Sequence, residues 1–503
     1  MAAPLTIRLH PADNVVVARM DILPGTPVEG DVVAAGRIPA GHKVLTRAVK
    51  AGEPLRKYNQ VIGFAVEDLA PGAHVHTHNC AMGDFERDYA FCADARPTDF
   101  VTPAATFMGY RRADGRAATR NYIGIVTTVN CSAATSRMIA ARLDPILSEF
   151  PNIDGVVPLT HGGGCGMAAS GLEMDVLRRT LAGYVRHPNM AAVVVLGLGC
   201  EANQVGGLMA AEGLKEGPRL IPMAIQDEGG VSRTVGRAVG FLKELLPDAN
   251  AVTRVPIPAS ELILALQCGG SDGYSGISAN PALGAAVDLL VRHGGTAVLS
   301  ETPEIYGAEH LLTRRAASRA VGEKIVQRIK WWEDHCARTG GEMNNNPSPG
   351  NKAGGLTTIL EKSLGAVAKG GTTNLVDVYE YAQPITARGF VYMDSPGYDP
   401  VSATGQVAGG ANVLCFTTGR GSVFGCKPTP SLKLATNTSL YRRMTDDMDI
   451  NCGTIVDGEE SIQENGQRIF DLILRTASGD KTKSELLGIG DDEFEPWKIG
   501  ATM

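Results

Sequence analysis

Four times between Tyr122 and Leu246 an unbroken apolar run closes on a short polar turn, and a helix-forming stretch follows. The runs are Tyr122–Val129, Val156–Leu159, Ala191–Leu198 and Leu220–Ile225. The same order begins again at Leu262 in LILALQCGGSDGYSG, where Asn280-Pro281 reads as a helix cap and first-turn proline. An apolar run without alternation suits a strand buried on both faces, although a buried helix start has the same pattern. Repeated strand-then-helix leaves a parallel sheet as the expected outcome, because consecutive parallel strands need a crossover. Polar turns at strand ends then collect along one edge, where open α/β sheets bind ligands. The turn after Leu266 lacks both GxGxxG and a GKS/T ending, so nucleotide phosphate is not its expected ligand.

With 503 residues the chain is too long for one core. Residues 1–80 read as a small all-β unit, with short apolar runs such as Val15–Ala18 and a glycine about every ten residues. Residues 81–108 lack a sustained period and read as a linker. Residues 109–255 form the first β/α series, and residues 256–503 the second. Further strands are expected at Gly389–Met393, Ala411–Thr417 and Leu432–Ala435, with helices over Arg314–Cys336 and Glu459–Thr476. The stretch NNNPSPGNK reads as a non-helical loop and a candidate lid. The fold class is thus α/β with a small all-β N-terminal domain.

A net charge of −7 argues against nucleic acid and anionic membranes as partners. The opening MAAPLTIRLH has no apolar core for a signal peptide, and no apolar run is long enough to span a bilayer, so a cytoplasmic location is expected. Ten cysteines without a CxxC pair are read as thiols in a reducing compartment.

Cys131, Cys200 and Cys268 each follow a strand directly, and Cys165 sits in the glycine turn HGGGCG. Thiolates at strand ends can meet at a cleft and bind iron or zinc, though each could equally be packing where a strand meets a helix. Asp227 with Glu228, Asp272, and Glu301 with Glu304 follow strands too. Asp272 and Glu301 are candidate ligands for a divalent cation, whereas Glu304 reads as a helix cap. His74 and His76, with His78, would share a strand face and form a secondary candidate for metal or substrate. Arg120, Arg420 and Lys352 could meet a carboxylate substrate, and a desolvated lysine can act as a base.

The ordered blocks GHK (41–43), GRAATRNYIGI (115–125), HGGGCGM (161–167), GLGCE (197–201), QCGGSDGYSG (267–276), NPSPGNKAGG (346–355), FTTGRGS (416–422) and MDINCGTI (448–455) carry a further reading. Together they make the chain resemble the altronate and galactarate dehydratases, a family of sugar-acid hydro-lyases, over nearly its whole length. SETPEIYGAEH (300–310), HVHTHN (74–79) and GYDPVSATGQVAGGAN (397–412) look more like the altronate branch. The resemblance implies a β-clip module of the SAF type, a middle α/β domain and a C-terminal Rossmann-like domain with a mainly parallel sheet. It also implies a homodimer and dependence on Fe2+, with Mn2+ or another divalent ion as an alternative. The reaction it implies is loss of water from D-altronate to give 2-keto-3-deoxy-D-gluconate. Galactarate dehydration, a sulfolactate sulfo-lyase-like activity and non-catalytic sugar-acid binding stand as alternatives.

On that reading Lys352 or His310 removes the proton beside the carboxylate. Arg420, Arg120, Ser271 and Asn351 contact substrate. Cys131, Cys165, Cys200, Cys268, Asp272 and Glu301 hold metal, either as a mononuclear site or as an iron–sulfur cluster on the thiols.

Overall fold

The computed structural model describes residues 4–84 and 87–500. Residues 1–3 and 501–503, and residues 85–86 inside the expected linker, lie outside that description. Near the N-terminus, short antiparallel strands form a β module: Thr6–Ile7, Val15–Ala18, Lys43–Leu45 and His74–Val75 in one sheet, Pro54–Lys57, Gln60–Ala65 and Cys80–Ala81 in another. Its hairpin turn Tyr58-Asn59 takes positive φ at both residues, 62° and 59°. That is the geometry of a two-residue primed turn. The Asp13 carboxylate secures it by accepting from both turn amides, at 3.1 and 2.7 Å. The turn thrusts Lys57 and Tyr58 away from the module toward the rest of the chain.

The middle domain holds a parallel sheet of β1 (Tyr122–Thr127), β2 (Gly155–Leu159), β3 (Met190–Gly197) and β4 (Leu220–Ala224), in the order β2-β1-β3-β4. Helices α1 (Ala133–Leu143), α2 (Leu172–Val185), α3 (Val205–Ala211) and α4 (Val231–Asn250) follow the strands in turn. Every residue of β1 and β3 is buried, which is why neither run alternates. The strand that leads into this domain, Thr106–Arg111, starts inside the stretch read as linker. It pairs antiparallel with Val255–Pro258, the strand that leads out, so Gly109 faces Val255.

The C-terminal domain carries a seven-stranded, wholly parallel sheet. Its strands are β5 (Ile263–Cys268), β6 (Thr296–Leu299), β7 (Leu375–Tyr379), β8 (Phe390–Met393), β9 (Val413–Thr418), β10 (Ser431–Ala435) and β11 (Ile450–Asn451). The order β7-β8-β6-β5-β9-β10-β11 reverses direction between β5 and β9. The helices that matter here are α5 (Ala279–Arg292), α6 (Arg319–Thr339), α7 (Pro349–Ala353), α8 (Ile359–Val367), α9 (Asp399–Ala408) and α10 (Ile462–Ala477). The two short or irregular strands β7 and β11 had no apolar run to announce them. Asn280 is no cap: it lies inside α5 and ties two neighbours together, donating to Gly365 O at 2.9 Å and accepting from Thr417 Oγ1 at 2.7 Å. The Asn/Pro/Gly loop does contain a turn of helix, α7, because Ser348 caps it and Pro349 fits its first position.

The middle and C-terminal domains meet where α2 crosses α9. A Cβ on Gly183 would lie 2.3 Å from the Ala408 carbonyl oxygen, so the crossing depends on glycine there. Gly183→Ala should therefore destabilise the protein by about 1–3 kcal/mol, read as a lowered urea midpoint. An unchanged midpoint would show that the contact is slack. Among the described residues no helix is long and apolar enough to cross a membrane.

Candidate active site

The strand order reverses between β5 and β9, and the carboxyl ends of the strands at such a point are the expected ligand position. Cys268 closes β5, and Glu301 and Glu304 follow β6. Their ligand atoms lie within 4.8 Å of one another, and all three side chains are buried. Lys369 reaches the same point, with Nζ 2.9 Å from Cys268 Sγ and 3.3 Å from Glu301 Oε2. Lys362 donates to Glu304 Oε1 at 2.6 Å and to Asn346 Oδ1 at 2.9 Å. Asp399 adds a third, half-buried acid from the start of α9.

So many charges in a dry space shift one another. Burial, with Glu304 nearby, pushes the Glu301 carboxyl up to about 8. Burial also pushes the Cys268 thiol up to about 12 and Asp399 to about 6. Glu301 sits in the left-handed region at φ 71°, a conformation costing about 1–3 kcal/mol for a non-glycine residue. The Ser395 hydroxyl helps hold it there by accepting from its amide at 3.0 Å. Glu301 Oε1 is buried without a hydrogen-bond partner among the described residues. A sulfur and two carboxylates at one point, one of them with an unpartnered oxygen, form a donor set that fits a divalent transition ion.

The β module seals this region. Lys43 and Lys57, both fully buried, converge on one carboxylate of α8: Lys43 Nζ lies 2.8 Å from Glu361 Oε2 and Lys57 Nζ 3.0 Å from Glu361 Oε1. Lys43 also donates to Gly355 O at 2.6 Å. Glu361, despite burial, is held down to about 2 by the two ammonium groups. Lys43 falls below the usual lysine range through burial, while Tyr58 and Glu361 outweigh burial at Lys57 and hold it above. Between this triad and the acid–thiol group lies a cavity of about 10 Å³ lined by Tyr58, Cys268, Ser271, Asp272, Glu361 and Lys362, among others. It has room for roughly one water.

A histidine group faces α7 from the module. The strand expected to align His74, His76 and His78 stops after Val75, and a turn carries the other two. The rings gather nonetheless, and His42, which the sequence reading passed over, joins them. His42 Nδ1 lies 2.9 Å from His74 Nε2, and His76 donates to Lys352 O at 2.8 Å. Burial lowers His42 to about 4 and His74 to about 3, so these rings are neutral at pH 7.

The remaining candidates fall in several places. Cys131, Cys165 and Cys200 are exposed at the carboxyl edge of the middle sheet, on turns that bond to one another through Asn130 N to Gly163 O (3.2 Å) and Asn203 N to Gly164 O (3.0 Å). Cys268 stands apart from them in the other sheet. Asp272, expected as a metal ligand, braces the glycine turn. Its two oxygens already accept from Tyr274 N, Ser275 Oγ, Thr436 Oγ1 and Asn437 Nδ2 at 3.0–3.1 Å. Arg120 is likewise committed elsewhere. It is fully buried, paired with Glu485 at 2.6 Å, and donates to Thr119 O, Thr476 O and Asp480 O, which pins the middle domain to the C-terminal tail.

Asn351 spends its side chain on the α7 cap and on the Ser271 carbonyl at 2.9 Å. Ser271 itself lines the cavity. Arg420 is exposed beside Gly354 and the glycine turn. His310 Nε2 donates to Gln60 Oε1 of the module at 3.2 Å. Lys352 is half-buried on α7, and its amine makes no hydrogen bond or ion pair among the described residues. Glu304, expected to cap a helix, belongs to the acid–thiol group. Lys362 and Lys369 were missed because only the fold of α8 and its end brings them to Cys268.

A β module, two parallel sheets and a buried acid–thiol–lysine group at a sheet's switch point define a multidomain enzyme of the α/β class. The family models match along the chain: an altronate/galactarate dehydratase SAF domain over residues 4–83, the D-galactarate dehydratase/altronate hydrolase second domain over 109–250, and the D-galactarate/altronate dehydratase C-terminal domain over 259–502. The chain is 34% identical to an altronate dehydratase of Bacillus subtilis over 99% of both proteins. It is 37% identical to a galactarate dehydratase (L-threo-forming) of Escherichia coli over 94% of this chain and 93% of that one. It is 34% identical to a (2R)-sulfolactate sulfo-lyase subunit beta of Chromohalobacter salexigens over 76% of this chain and 95% of that one. The protein belongs to the altronate/galactarate dehydratase family of hydro-lyases.

Proposed function

We propose that the protein dehydrates D-altronate to 2-keto-3-deoxy-D-gluconate in an Fe2+-dependent reaction. The observation that carries this is the buried group of Cys268, Glu301 and Glu304 at the switch point of the large sheet. In this reading those three residues hold the iron. When bound, the ion supplies Lewis acidity that stabilises charge building on the substrate carboxylate as the C2 proton leaves. Lys352, whose amine is uncommitted, takes that proton at Nζ. Lys362, an ammonium lining the cavity, gives a proton from Nζ to the departing C3 hydroxyl. Arg420 steadies the substrate's carboxylate from the rim, and Tyr58 and the module keep bulk water out.

The neutral histidines favour altronate over galactarate. Galactarate carries a second carboxylate, which calls for a second cation, whereas uncharged imidazoles pair well with the hydroxyls of an aldonate. The test is a panel of altronate, galactarate and sulfolactate with ferrous iron and reductant, read as kcat/KM. Altronate should lead by at least about tenfold, since a site built for a hydroxyl leaves polar groups unpaired with the wrong substrate. A lead for galactarate or sulfolactate would sink the assignment.

A further inference from the structure

On the far side of the middle sheet lies a pocket of about 490 Å³ that the dehydration chemistry does not use. The starts of β3 and β4 line it, so it sits at the amino edge of the sheet whose carboxyl edge bears the three exposed thiols. Strands of five to eight residues separate the two edges by roughly 20 Å. Five cations line the pocket: Arg112, Arg116, Arg186, Lys215 and Arg219. Two of them have acidic partners, Arg116 with Asp114 at 2.7 Å and Arg186 with Glu212 at 3.6 Å. Arg112, Lys215 and Arg219 have no ion-pair partner among the described residues. This is a local reversal of sign in a chain of net charge −7.

Arg112 is the telling member. Its guanidinium is buried, yet among the described residues it donates only to uncharged oxygens: Pro188 O at 2.6 Å, Asn121 Oδ1 at 2.9 Å and Arg120 O at 3.2 Å. Burial and the neighbouring Arg219 charge hold its acid constant down to about 10. A buried cation without an opposing charge is costly. The exposed Lys215 and Arg219 share the rim of the same hollow, and the three charges would repel one another until an anion entered. Guanidinium forks are suited to oxyanions in particular. The concave shape and volume match a small molecule rather than a polymer, which would need an extended basic stripe.

We propose that this pocket binds a small oxyanion carrying two or more negative charges, a phosphate-bearing or polycarboxylate metabolite, at a site separate from the dehydration centre. Titration calorimetry of the full-length protein with inorganic pyrophosphate, and separately with citrate, tests it in about 150 mM salt, where surface attraction is largely screened. Saturable binding of pyrophosphate alone marks the phosphate source, and of citrate alone the carboxylate source. The double variant K215Q/R219Q alters two exposed side chains with no ion pairs, so it should fold as the parent does, checked by its melting temperature. It should bind the recognised anion at least tenfold more weakly. Absence of saturable binding for both probes overturns the proposal. So does equal binding by parent and variant, or equal competition by acetate.

Discussion

Glu301→Gln should give a folded protein that fails to retain iron and turns over its sugar acid 10²–10³-fold more slowly, on the order expected when a preorganised charge-stabilising group is lost. The substitution is nearly isosteric. It preserves the amide bonded to Ser395 Oγ and with it the left-handed backbone that aims the side chain. Burial and the neighbouring Glu304 already push the Glu301 carboxyl well above the usual carboxylate range. A neutral amide therefore costs the metal-free protein little, and its melting temperature should stay within a few degrees of the parent's. What the variant lacks is an anionic oxygen for the ion. Iron content after gel filtration and kcat measured side by side check this. Full iron occupancy with full turnover would remove Glu301 from the centre.

The second large effect concerns Glu361. Replacing it by glutamine leaves Lys43 and Lys57 buried without their shared counter-charge, a change worth about 3–5 kcal/mol. Both lysines belong to the β module and Glu361 to α8, so the loss should appear as a module that comes away in less urea and is clipped sooner by protease. The pH dependence follows from the same group. Glu361 titrates near 4.5 when unfolded and at about 2 when folded, so its contribution is complete above pH 4.5 and is lost as pH falls toward 2. The size is about 3 kcal/mol. The parent should lose module docking across that window, and Glu361→Gln should be almost indifferent to it. Identical acid titrations of the two proteins would mean the triad contributes little.

The architecture was legible where the residues themselves oblige it. Runs such as Ala191–Leu198 lack polar positions because both faces are covered, and a chain alternating such runs with helices has few ways to arrange them. Cys268 and Glu301 could be found as the polar residues that end those runs. Their partners could not be found that way. Lys362 lies far along the chain in a helix whose residues are buried on every side, where one-sided patterning gives no signal, and Lys369 lies in the turn just after it. His42 precedes the other histidines by more than thirty residues, and only pairing of Lys43–Leu45 with His74–Val75 brings them together. Asp272 shows a different limit: a carboxylate in a glycine turn looks the same in sequence whether it awaits a ligand or fastens the turn.

The pairing of Thr106–Arg111 with Val255–Pro258 has an architectural consequence. The chain departs for the middle domain and returns at neighbouring positions, about 5 Å apart as adjacent strands are. The intervening stretch is thus a cassette plugged into a host at a single socket. Trimming, swapping or duplicating that cassette would leave the host's ends within one strand spacing, which makes this junction the natural place for a genome to exchange the thiol-bearing part while conserving the acid-bearing one.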